Sequence, residues 1–168
     1  ASGAIKCWGY GGYGELGNGT NQASFIPVSV TGISTATTIT GGAFHFCAGL
    51  RSGSVKCWGQ NSSGQLANGT FTSSNIPVRV HEIYAPTRLA AGYHHTCALF
   101  SGGVMRCWGG NDFGQLGNNQ SGTLLTVPVT VKGTPGVVWQ SSDASKATIT
   151  DRGVATGRAV GNTTITAT

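Results

Sequence analysis

One interval governs this chain: a pair of cysteines ten positions apart returns after fifty residues. Residues 41–59 read GGAFHFCAGLRSGSVKCWG, and residues 91–109 read AGYHHTCALFSGGVMRCWG. His45, Cys47, Cys57 and Trp58 thus fall on His95, Cys97, Cys107 and Trp108, and the opening SGAIKCWG carries Cys7 and Trp8 one period earlier. Self-similarity at a fixed period of about 20–50 residues marks a solenoid or propeller, in which each unit buries its faces against its neighbours.

Each copy reads as short strands. One runs from a glycine through the histidine to the first cysteine (92–99). A tight turn follows at Ser101-Gly102-Gly103, and the next strand carries the second cysteine and Trp-Gly. Polar, glycine-rich connections come next: YGGYGELGNGT (10–20), QNSSGQLANGT (60–70) and GNDFGQLGNNQ (110–120). A last strand alternates as Ile26-Val28-Val30, Ile76-Val78-Val80 and, after a one-residue insertion, Val127-Val129-Val131. Such alternation is a half-buried strand. Pro27, Pro77 and Pro128 interrupt its donors, which places it at a sheet edge.

Composition agrees with an all-β reading. Glycine fills 28 of 168 positions and charged residues only 9%, against about 7% and 25% in ordinary soluble domains. The net charge of +5 comes from bases scattered singly. That is no clustered nucleic-acid footprint, so no nucleic-acid partner is expected. No apolar run approaches the roughly 18 residues that span a bilayer, so neither is membrane insertion. The first residue is alanine, which we read as a processed or expressed fragment.

The cysteine spacing has a geometric meaning. In a hairpin, opposed residues share a midpoint. Cys47 and Cys57 centre on the RSGS turn, Cys97 and Cys107 on SGG. Each pair then lies directly across a turn at about 4.5–5.5 Å between Cα atoms, which suits a disulfide. The pairs are not CxxC, and we read the flanking histidines as facing away, so no metal site is expected. Disulfides imply an oxidising compartment, hence secretion or the cell surface. Cys7 alone lacks a partner. Its opposing strand would precede the chain or come from another one.

Gly42, His45, Cys47, Ala48, Gly53, Val55, Cys57, Trp58, Gly59, Asn61, Gly64, Gln65, Leu66, Asn68, Gly69 and Pro77 together resemble the repeat of the regulator of chromosome condensation family, in its secreted bacterial Cys-Trp-Gly variety. The resemblance implies four-stranded blades of a β-propeller. We therefore expect residues 1–132 to form a partial propeller of about three such blades. Residues 133–168 are similar to part of a group 2 bacterial immunoglobulin-like domain, in Trp139, Ser141-Ser142-Asp143, Ala147-Thr148-Ile149, Gly153, Thr156-Gly157, Gly161 and Thr164 to Thr168. That predicts a short immunoglobulin-like β segment. Open blade edges invite pairing with another chain, so a homo-oligomer is expected, a dimer completing the propeller. Guanine nucleotide exchange, the role of the eukaryotic namesake, is not expected of a disulfide-bearing bacterial chain.

Candidate chemistry is sparse. His45 and His95 recur with the repeat and read as scaffold. His94 is additional, and in a strand His94 and His95 would point to opposite faces. Glu15, Glu82, Asp112, Asp143 and Asp151 form no acid–base pair. Glu15 stands where the other copies have Gln65 and Gln115. Trp8, Trp58 and Trp108 should pack between blades, with Lys6, Lys56 and Arg106 on the same face as a possible cation–aromatic contact. The non-recurring loop aromatics Tyr10, Tyr13, Phe71, Tyr93 and Phe113 are the binding candidates, because exposed aromatics on a rigid scaffold recognise partners. The expected function is a non-catalytic secreted or surface bacterial interaction module. It binds a protein or glycan through propeller-face loops and uses no cofactor. The alternative is a promiscuous hydrolase with His94 or His95 assisting a metal or water at a blade or subunit interface.

Overall fold

A computed structural model describes residues 2–134, 139–143, 145–149 and 155–167. The readings at Asp151, Gly153 and Thr168 lie outside them. Among the described residues the chain is built from strands and one 3-10 turn. β1 (Lys6–Gly9) and β2 (Ser24–Ser29) pair as a two-stranded sheet. β3 (Ala36–Gly41), β4 (His45–Leu50), β5 (Ser54–Gly59) and β6 (Ser74–Tyr84) form a four-stranded antiparallel sheet in sequence order. β7 (Arg88–Ala91), β8 (His95–Leu99), β9 (Met105–Asn111) and β10 (Thr123–Thr130) repeat it. These are the three blades, the first represented by its last two strands. In the tail, β11 (Trp139–Ser141) pairs with β14 (Ile165–Ala167), and β12 (Ala147–Ile149) with β13 (Ala155–Gly157). Asp143 closes the Ser-Ser-Asp turn by accepting from the Ser145 backbone N–H at 2.9 Å and its hydroxyl at 2.6 Å.

The cysteine geometry holds. Cys47 faces Cys57 and Cys97 faces Cys107 across their hairpins, and both pairs are disulfides with Cα atoms 4.1 Å apart. Cys7 is a free, buried thiol opposite Val28, and burial raises its pKa. The proline-bearing strands β6 and β10 are the outer strands of their sheets. There the ladder bulges, because proline cannot donate. Residues 75–77 stand opposite Trp58 alone, 126–128 opposite Trp108, and 25–27 opposite Trp8.

That bulge is also where neighbouring blades meet. The loop after β1 reaches blade two through Gly19 N–H, which donates to Asn75 O at 2.8 Å. Fifty residues on, Gly69 N–H donates to Thr126 O at 3.1 Å. Gly14 has φ +90, and a Cβ there would lie 2.5 Å from Asn75 Cα, so only glycine fits the approach. Trp58 and Trp108 are fully buried in the two seams, their indole N–H groups donating to Glu15 O and Gln65 O at 2.8 Å. Burying one such ring contributes roughly 4–6 kcal/mol at most. The apolar clusters straddle the same seams: Leu16, Val30 and Ile33 with Ala48 and Trp58, then Val55, Leu66, Val80 and Ile83 with Ala98 and Trp108.

Four expectations need correction. Trp8 does not pack between blades: it is 64% exposed. Arg106 lies over Phe100, not tryptophan, at 5.9 Å, because the indoles are enclosed in the seams. His45 shares a face with Cys47, two positions along one strand, and both reach Thr96 Oγ1, at 2.7 and 3.9 Å. Finally, the strand anticipated from Gly92 begins only at His95. Gly92 N–H donates to His95 O at 2.9 Å and closes a turn that contains Tyr93 and His94; Gly42 does the same at 2.8 Å.

Candidate interaction site

Those two turns lift side chains onto one face. The turn between β3 and β4 carries Phe44, and its counterpart between β7 and β8 carries Tyr93 and His94. The loop after β1 brings Tyr10 and Tyr13 alongside. Their rings meet edge to face in a chain. Tyr10 and Tyr13 are 6.2 Å apart, Tyr13 and Phe44 5.6 Å, Tyr10 and Phe44 6.4 Å, Phe44 and Tyr93 6.3 Å, and Tyr93 and His94 4.5 Å. Interplanar angles run from 65° to 88°. The result is an aromatic ridge crossing all three blades, with Tyr10, Tyr13 and Tyr93 exposed. Tyr10 is held down by Gly12, where an added Cβ would lie 2.3 Å from its hydroxyl. The seam beneath is fixed by Ala43 N–H donating to Tyr93 O at 3.3 Å and Ala91 N–H to Thr40 Oγ1 at 3.0 Å. Beside Tyr13 an open cleft of about 380 Å³ is lined by Asn21, Ser73, Asn75 and Ile76.

Three of the five aromatic binding candidates therefore come together. Phe71 and Phe113 are exposed on the corresponding loops of blades two and three, and no ring contact joins them to the ridge among the described residues. Sequence reasoning missed Phe44, the ring that connects the two halves. Its signal was present: at that repeat position the cognate is His94, another ring.

The histidines play different parts. His45 is buried, its Nε2 on Thr96 Oγ1 and its Nδ1 without a hydrogen-bond partner. Its ring stands over Gly42, where a Cβ would lie 2.3 Å from Cε1; His95 covers Gly92 in the same way at 2.2 Å. Burial, assisted by the nearby His94 and His95, lowers the His45 pKa to about 4, and burial lowers that of His95. His94 Nδ1 lies 3.4 Å from Gln65 Nε2. Among the described residues no group of three histidine, cysteine, aspartate or glutamate side chains is arranged to hold a metal.

Two sequence profiles described as Regulator of chromosome condensation (RCC1) repeat match the chain, one over residues 2–48 and 52–99, the other over 36–65 and 87–115. A Bacterial Ig-like domain (group 2) profile matches residues 120–168, beginning just before β10. No curated protein sequence matches. Among solved structures, human WBSCR16 is similar with a TM-score of 0.68 at 22% identity, over 78% of this chain and 34% of its own. Prp20p from Saccharomyces cerevisiae, described with its binding properties to Gsp1p and histones, aligns with a TM-score of 0.64 at 23% identity, over 90% of this chain and 40% of its own. Yeast RCC1 (Prp20) bound by Kap60 gives 0.65 at 21% identity, over 90% and 39%. The chain thus spans about two fifths or less of the length of these structures, and the likeness is one of fold.

Proposed function

The chain belongs to the regulator of chromosome condensation (RCC1) repeat family, and from that membership we propose that it is a protein-interaction module that binds its partner along the aromatic ridge. Prp20p is described with its binding properties to Gsp1p and histones, and protein binding as a class is what we carry over. The observation that carries the reading is the ridge itself: four aromatic side chains from three blades converge on one face instead of packing inward. Aromatic rings on a rigid frame are typical anchors of protein interfaces. A protein is favoured over a glycan because successive rings are tilted by 65° or more. They offer clefts for side chains and no flat platform for a sugar.

The two disulfides support a site of action outside the reducing cytosol, secreted or at the bacterial surface. No helix among the described residues is long and apolar enough to cross a membrane, which says nothing of strands. Exposed Trp8, Phe25 and Ile26 on the two-stranded first blade support self-association, with a second copy covering that face as blade one covers blade two. A monodisperse monomer by light scattering at tens of micromolar would remove this part of the reading.

The ridge is tested by cross-linking capture from the extracellular fraction, using wild type, Tyr13→Ser/Tyr93→Ser and Phe113→Ser as baits. A protein partner kept by Phe113→Ser and lost from the double variant is the expected result. Equal capture by all three, or a glycan as the only bound species, would reject it.

A further inference from the structure

Beneath the ridge lies a carboxylate with one oxygen unused. Glu15 is only 4% exposed; its Oε2 accepts from Tyr13 N–H at 2.9 Å, while Oε1 is buried without a hydrogen-bond partner. A buried acceptor left without a donor is destabilising, and more so when charged. Such a cost at one copy of a repeated position asks what the oxygen is for.

The fifty-residue translation indicates where that oxygen is directed. In blade two, Gln65 holds the same place: its Oε1 accepts from Ser63 N–H at 2.8 Å, as Glu15 Oε2 does from Tyr13. The other arm of Gln65, Nε2, stands 3.5 Å from Gln60 Oε1 and 3.4 Å from His94 Nδ1. The cognates of Gln60 and His94 are Tyr10 and Phe44. At the second seam, then, a neutral amide meets two polar groups. At the first, the positions equivalent to those two polar groups hold aromatic rings, Tyr10 and Phe44, with Tyr13 beside them. Those three rings lie with centroids 5.6–6.4 Å apart and planes tilted by 65–70°. Relative to the second seam, three side chains have changed in concert: a glutamine to glutamate, a glutamine to tyrosine and a histidine to phenylalanine. Together they remove polar partners and add ring faces.

Mutually tilted aromatic rings above an anionic oxygen attract a cation bearing both carbon and a proton donor. The rings' negative faces hold the charge and its attached methylenes or methyls, and the oxygen takes the N–H. We propose that Glu15, Tyr10, Tyr13 and Phe44 form a pocket for an alkylammonium group, specifically a lysine side chain of the partner protein, free or partly methylated, which enters as the exposed Tyr10 and Tyr13 rings swing aside and uncover the buried Oε1. This rests on the protein-binding reading above. A quaternary ammonium has no N–H for Oε1. A guanidinium fork asks for two acceptors where one oxygen is free.

The test titrates the whole chain with Nα-acetyl-lysine amide, its dimethyl and trimethyl forms, and the uncharged norleucine analogue, following the ring resonances of Tyr10, Tyr13 and Phe44. Lysine and dimethyl-lysine amides should bind in the millimolar range and the trimethyl form several-fold more weakly. Norleucine should not bind. Glu15→Gln, which restores the residue of the other blades and should fold normally, should weaken binding about tenfold. Glu15→Gln/Phe44→His, which rebuilds the second seam, should do the same. No ring shifts at tens of millimolar ligand, binding unchanged by Glu15→Gln, or norleucine binding as well as lysine would each overturn the pocket. A protein partner captured equally by wild type and Glu15→Gln yet lost from Tyr13→Ser/Tyr93→Ser would overturn the pocket alone; capture indifferent to all these variants would take the protein-binding reading with it.

Discussion

Protonation of His45 places a charge in the seam between blades two and three. Its pKa is about 4 in the folded chain, chiefly through burial, against about 6.5 unfolded. Between those values the unfolded chain binds more protons, so the neutral ring's contribution is complete above pH 6.5 and is lost as pH falls toward 4. Stability should drop by about 2 kcal/mol between pH 8 and pH 5, read from urea midpoints. His95, also lowered by burial, acts in the same direction. A His45 resonance titrating near 6.5 would contradict the assignment. Asn61 is the other residue on which much local structure depends. Fully buried, it donates to Thr70 O at 2.8 Å and Thr72 O at 3.1 Å and accepts from Leu66 N–H at 2.8 Å. Asn61→Ala leaves three backbone groups unpaired and should cost about 2–4 kcal/mol in urea unfolding. Blade one carries Gly11 there, where a Cβ would lie 2.4 Å from Gln22 O: its loop closes by backbone contact instead.

At the scale of elements, the two matched tryptophans and their exposed counterpart make a controlled comparison. Trp58→Phe removes a buried indole N–H from Glu15 O and opens space in the seam; it should cost about 2–3 kcal/mol. Trp8→Phe, at a position 64% exposed, should change stability by less than about 0.5 kcal/mol. Equal effects in thermal melts would mean that the indoles do not hold the seams. The exposure of Trp8 also marks where the sequence stops being informative. The hairpins, the disulfides and the outer proline strands were legible, because turn midpoints and the donor that proline lacks are local properties. β3 and β7 were not. ATTITG and RLAA carry no cysteine, tryptophan or turn signal of their own, and only the family resemblance implied a fourth strand. The ridge was half legible for a related reason. Loop aromatics that break the repeat stand out in the chain, whereas Phe44 sits in a turn that reads as strand until the Gly42–His45 hydrogen bond is known.

At the scale of the whole molecule, the blade-to-blade contacts seen among the described residues join neighbours: β3 and β4 with β7, β6 with β10, and the loop after β1 with blade two. Stability should then be close to a sum of blade and seam contributions, as in a one-dimensional array. Blade two is covered on both faces, by the Leu16 loop on one side and by Ala98 and Trp108 on the other. Among the described residues blade one has two strands, and blade three joins these two apolar clusters through one face only. Opening should begin at the outer blades, and hydrogen exchange should rank the backbone accordingly. Amides of β4 and β5 should exchange slowest, those of β8 and β9 faster despite an identical disulfide, and those of β1 and β2 fastest. The disulfides do not level this order, since each closes a hairpin within its own blade and crosses no seam. A single exchange rate across all three blades would show one cooperative unit and refute the array. The ranking bears on recognition as well. Phe44 stands on the most protected blade, while Tyr10, Tyr13 and Tyr93 reach it across the two seams. A partner gripping the whole ridge would tie the outer blades to the central one, and its binding should slow exchange in β1, β2, β8 and β9 far more than in β4 and β5.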